Sequence, residues 1–97
     1  IAPGQFPLHY SPGIPLRTNV KDPKNNEAFL LIKKRKITFK NYYYLSKKND
    51  LKQAAKNLYS LLRSIKKDGY KMIAVEKIPN IGIGKTINDR LNRASKY

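Results

Sequence analysis

The sequence predicts a small α/β domain: three or four strands in a sheet that is mostly parallel or else mixed, with two main helices. Three observations carry that expectation. Apolar residues run consecutively in strand-length segments, one long segment has apolar residues at helical spacing, and the second half reads strand, helix, strand, helix. Consecutive apolar residues suit strands covered on both faces, as parallel strands are. The alternating order implies a right-handed crossover with helices laid on the sheet.

Residues 1–15 carry Pro3, Pro7, Pro12 and Pro15, with Gly4 and Gly13 among them. Proline fixes φ, lacks an N–H and restrains the residue before it. An extended linker arm is therefore expected over 1–15, and the folded domain over 16–97. Pro15 to Asn19 reads as a short edge strand, and Asp22-Pro23-Lys24-Asn25-Asn26 as a turn cluster. Ala28-Phe29-Leu30-Leu31-Ile32 has strand length and ends at the basic run Lys33 to Lys36. Asn41 to Ser46, centred on Tyr42-Tyr43-Tyr44-Leu45, is a second, aromatic strand. The connection between these two strands is short enough for an antiparallel hairpin, so a mixed sheet stays open.

Asp50 opens the clearest helix. It suits the N-cap, and Gln53 three residues on suits a capping box. Leu51, Ala54, Ala55, Leu58, Leu61, Leu62 and Ile65 form one apolar stripe. Lys66 and Lys67 suit the negative end of the dipole, and Gly69 a left-handed C-cap. Tyr70 to Ile78, with Met72 to Val75 at its centre, is the next strand, and Pro79 to Gly84 a turn. A second helix is expected from Lys85 to about Lys96, with Ile83, Ile87, Leu91 and Ala94 facing inward.

The chain starts Ile1-Ala2-Pro3 rather than with methionine, as an excised piece of a longer polypeptide or a processed start would. No apolar run reaches the ~18 residues of a membrane span, and the first residues lack a signal pattern. Cysteine is absent, which removes disulfides and thiolate metal sites and fits a reducing, cytoplasmic compartment. Formal charge is +15, a value that invites a nucleic-acid reading. Lys, Asn, Ile and Tyr, all with AT-rich codons, nevertheless make up 42 of the 97 residues, so codon bias alone accounts for much of it. Arginine, the better bidentate partner of phosphate, numbers five against sixteen lysines.

Candidate chemistry is sparse. Gly84-Lys85-Thr86 opens a helix after a strand, as a phosphate-binding loop does. The position that should hold the first glycine is Pro79, however, and proline offers no N–H to a phosphate. A plain glycine-rich turn is the better reading. His9 is the one histidine. With Ser11 in a flexible arm it makes neither a metal site nor a triad, which needs fixed mutual geometry. Asp50, Asp68 and Glu76 do not converge on one substrate as acid/base work requires. Tyr42, Tyr43 and Tyr44 among lysines could stack bases, but alternation lets at most two share a face, and packing under a helix is the simpler use. The basic residues of the last helix (Lys85, Arg90, Arg93, Lys96) read as a solvated face. No residue set here suggests a metal or a cofactor held by this chain.

Two segments together resemble one family. Pro3-Gly4, then His9-Tyr10-Ser11-Pro12 after four residues, is similar to the linker signature of the long, two-domain form of threonylcarbamoyl-AMP synthase. The second segment resembles the end of that family's C-terminal domain. It comprises Tyr44-Leu45-Ser46, Asp50-Leu51, Ala54-Ala55-Lys56-Asn57-Leu58-Tyr59 and Leu61-Leu62-Arg63, then Gly82-Ile83-Gly84, Ile87-Asn88-Asp89-Arg90-Leu91 and Arg93-Ala94. The resemblance implies a small Rossmann-like three-layer domain joined by its linker to a YrdC-like catalytic domain. That family condenses threonine, bicarbonate and ATP into threonylcarbamoyl-AMP for tRNA threonylcarbamoyladenosine. ATP and magnesium would belong to the catalytic domain, in the same polypeptide but outside this chain. The resemblance also implies that Pro3, Gly4, His9, Tyr10, Ser11 and Pro12 face the parent active site. Asn57, Arg63, Gly82, Gly84, Asn88, Asp89, Arg90 and Arg93 would be motif positions with structural roles. Gln5 and Leu8 depart from the family, where methionine and often a basic residue stand. The connection from Ile32 to Tyr42 leaves no room for the helix of longer relatives.

Three functions are therefore weighed: a non-catalytic accessory or lid domain, a basic RNA-binding module with weak tRNA contact, and a stand-alone nucleotide-binding enzyme. The first is favoured on the Pro-rich arm and the two matched segments, and a chain without a catalytic constellation agrees with it.

Overall fold

A computed structural model describes residues 14–94. Expectations for the arm before Ile14, and for the residues after Ala94, lie outside the described residues. The order is β1 (Leu16–Arg17), β2 (Ala28–Leu31), β3 (Tyr42–Tyr44), α1 (Leu51–Lys67), β4 (Ile73–Val75) and α2 (Ile83–Ala94). The four strands form one sheet in the order β1-β4-β2-β3, with every pair parallel. Leu30 thus sits opposite both Tyr43 and Val75. The antiparallel hairpin between β2 and β3 does not form. The chain from Ile32 to Asn41 instead loops back to the start of β3 without a helix.

Alternation along the strands divides the core. Ala28, Leu30, Ile73 and Val75 meet Ala54, Leu58, Leu62 and Ile65 of α1 and Ile87, Leu91 and Ala94 of α2 in one buried cluster. Both helices therefore cover the same face. Burying each of the large side chains in this cluster stabilises the fold by about 1.5–3 kcal/mol. The opposite face carries Phe29, Leu31 and Ala74, all fully buried, with Val20 and the half-buried Tyr42 and Tyr44 packed on them. Irregular chain, rather than a helix, makes the third layer there.

The α1 caps follow from their residues. Asp50 Oδ1 accepts from the Lys52 and Gln53 amides at 2.9 and 3.3 Å. Gln53 does not close a capping box. Its Oε1 accepts from Ser46 Oγ at 2.9 Å, and Ser46 Oγ in turn accepts the Lys48 and Asp50 amides at 3.1 and 3.0 Å. Gly69 at φ 92 ends the helix, with its amide on Lys66 O and that of Tyr70 on Ile65 O, the paired bonds of a Schellman turn. Helix α2 begins two residues before the expected start, so Gly84 rather than Ile83 faces inward. At the other end of the sheet Ile14 is buried, and Pro15 O accepts the Ile73 amide at 2.9 Å. Those last two residues of the expected arm thus belong to the folded unit.

Candidate functional site

The glycine turn before α2 is built for close packing. A Cβ on Gly84 would lie 1.9 Å from the Pro79 carbonyl oxygen, so no other residue fits without moving the helix. Gly82 adopts φ 55, in the left-handed region glycine enters freely. The Gly84 and Lys85 amides donate to Ile81 O and Gly82 O at 2.9 and 3.1 Å. Those two N–H groups are therefore already used. Lys85 Nζ turns to Asp89 one helical turn on, at 3.5 Å. With Pro79 at its first position and these amides occupied, the turn differs from a phosphate-binding loop.

The motif asparagines tie helices to strand ends. Asn57 Nδ2 donates to Leu45 O at 3.0 Å, holding α1 to the chain leaving β3. Asn88 Nδ2 donates to Ile78 O at 3.0 Å and Asn80 Oδ1 at 3.3 Å, holding α2 to the chain leaving β4. Arg63 and Arg93 are exposed and Arg90 half-buried. The linker residues Pro3, Gly4, His9, Tyr10, Ser11 and Pro12 lie outside the described residues.

Every carboxylate has a partner within the domain. Glu27 is buried and takes Arg17 in a two-pronged pair, Nε to Oε2 and Nη2 to Oε1, both at 2.7 Å. Hydrogen bonding from Arg17 holds the Glu27 carboxyl below its ordinary pKa, against the opposing effect of burial. Glu76 Oε2 and Asp22 Oδ1 bind Arg35 at 3.2 and 3.1 Å, and Lys21 O takes its Nη2 at 2.8 Å. Partial burial works to lower the Arg35 pKa, but these acidic partners outweigh it and hold the guanidinium above its ordinary value. That guanidinium lies 5.0 Å from the Phe29 ring centre and caps the second face of the sheet. Asp68 accepts from Tyr43 Oη at 2.5 Å. Burial raises the Tyr43 pKa, and Asp68 adds to the effect. Asp50 and Asp68 sit at opposite ends of the 17-residue α1, about 27 Å apart at 1.5 Å per residue. Asp50, Asp68 and Glu76 are thus not brought together, and among the described residues no three His, Cys, Asp or Glu groups converge as metal ligands.

Sequence reasoning singles out neither Arg17, Arg35 nor Glu27 as a site residue, and it marks Ser46 only as a family-motif position. Arg35 had one available signal: it is the single arginine in a run of lysines, where planar multidentate bonding favours arginine.

These features define a class, a small parallel α/β domain whose polar side chains fasten its own elements together. The comparison with known families makes the assignment. A family model described as threonylcarbamoyl-AMP synthase, C-terminal domain, matches residues 1–96, and the chain belongs to that family. It is thereby tied to threonylcarbamoyl-AMP synthase and tRNA modification. No curated protein and no solved structure matches the chain significantly. No helix among the described residues is long and apolar enough to cross a membrane.

Proposed function

We propose that this chain is the non-catalytic accessory domain of a threonylcarbamoyl-AMP synthase, acting in the cytoplasm, with its Pro-rich arm laid over the active site of a YrdC-like catalytic domain in the same polypeptide. The observation that carries this reading is a single family match covering both arm and folded domain, residues 1–96. In keeping with it, each of the six carboxylates is hydrogen-bonded or ion-paired within the domain, and Asp50, Asp68 and Glu76 each serve a different element. The catalytic domain would hold ATP and magnesium. The arm would limit loss of the reactive acyl-adenylate to water, as closing segments do.

The arm provides the test. In the joined protein, replacing both His9 and Tyr10 by alanine should change pyrophosphate release from ATP, threonine and bicarbonate while leaving the melting temperature of this domain unaltered. Unchanged release from that double variant would remove the lid function.

A further inference from the structure

We infer that the open edge of β3, with the loop that follows β2, is a binding site for a single-stranded polynucleotide. The charge distribution is the first observation. Residues 28–49 contain seven Lys or Arg and no Asp or Glu, a net +7 in 22 residues, whereas the remaining 75 residues carry 14 basic and six acidic groups, a net +8. Codon bias supplies lysines throughout the chain, but it does not place them. Arg35 alone among the seven has acidic partners.

The backbone then brings like charges together. Lys33 and Lys48 face one another across an antiparallel bridge, where like charges directly opposite are unfavourable. Their neighbours Lys34 and Lys47 border one open depression of about 450 Å³, shared with Thr38 and the three tyrosines of β3. Tyr42 also lines an adjoining depression of about 330 Å³ with Phe39, Lys24, Lys40 and Asp22, whose carboxylate is already paired with Arg35. The Phe39 ring is 57% exposed and meets Tyr42 edge-on, with centroids 5.5 Å apart. The two hollows, which share Tyr42, thus offer aromatic surface beside ammonium groups. Bases stack on such rings with little regard to sequence, while lysines follow the phosphates. An acidic peptide would use the lysines and leave the rings idle.

RNA and DNA single strands share this chemistry, so the test uses both. The full chain is titrated into fluorescein-labelled 12-nucleotide RNA and DNA of the same mixed sequence, followed by anisotropy at several salt concentrations. Replacing Lys34 and Lys47 together by glutamine should weaken binding roughly tenfold and reduce the salt slope by about 1.4, from ~0.7 counterion per single-strand phosphate contact. The control pair Lys67→Gln and Lys71→Gln removes the same charge from positions that line neither hollow and should cost less than about twofold. Phe39→Ala, which keeps every charge, should weaken binding roughly fivefold. Tighter binding of RNA than DNA would assign the source to RNA, and the reverse to DNA. Equal losses from the two lysine pairs, no effect of Phe39→Ala, or equally effective displacement by polyglutamate would overturn the site. Neither the probe nor the readout involves pyrophosphate release, so this inference and the accessory role fail separately.

Discussion

Glu27 is the residue on which the amino-terminal ends of three strands depend. Its carboxylate holds Arg17 of β1 and the Lys24 amide, while its carbonyl accepts from Asn41 just before β3. Because its folded pKa lies below the unfolded value, the stability it contributes is present in full above the ordinary carboxylate range, about 4.3, and is lost as pH falls through the folded value. Glu27→Gln keeps the shape but removes the charge. It should cost about 2 kcal/mol at neutral pH, the scale of a hydrogen-bonded buried charge, or roughly 10 °C in Tm. It should also flatten the acid limb of a Tm-against-pH curve, and an unchanged acid limb would show that some other carboxylate dominates it. Arg35 does comparable work on the second face, where it replaces the cover a helix would provide. A sequence shows the charge of such a residue but not which three acceptors and two rings converge on it.

Among the elements, α1 was the most legible from sequence, because cap, stripe and terminal glycine are all local signals. Asp50, the seven apolar positions and Gly69 are each found in the expected place. The capping box was misread for a spatial reason: Ser46, displaced from the helix by a loop, reaches the Asp50 amide before Gln53 can. The β2–β3 pairing was less legible. A ten-residue connection is short for a parallel crossover, which commonly takes a dozen or more residues. What decides it is tertiary: Phe29, Tyr42 and Arg35 stack on the second face and fold the loop back over it. The start of α2 was placed two residues late, because a glycine at 84 reads as a turn, whereas its role is to let the helix approach the Pro79 carbonyl. Gly84→Ala is expected to destabilise by at least ~2 kcal/mol through overpacking, seen in chemical denaturation as a lower midpoint. Gly82→Ala, which meets nothing within 4 Å and strains only φ, should cost ~1 kcal/mol. Equal costs at the two positions would mean that helix approach is not what fixes Gly84.

For the molecule as a whole, the charge excess, the paired carboxylates and the family assignment bear on one question, whether this domain performs chemistry or governs it. The family was legible only through the arm motif and the domain motif read together. Composition and charge by themselves could not name a partner. Among the described residues, the side-chain hydrogen bonds of Glu27, Arg35, Asn57 and Asn88 fasten strands, helices and loops of the domain to one another.

The most direct test is pyrophosphate release from ATP, threonine and bicarbonate, measured for this chain alone, for the catalytic domain alone, and for the two joined. The account predicts no turnover by this chain, and an altered rate when it is joined to the catalytic domain. Turnover by this chain alone would contradict it, as would identical rates with and without the domain.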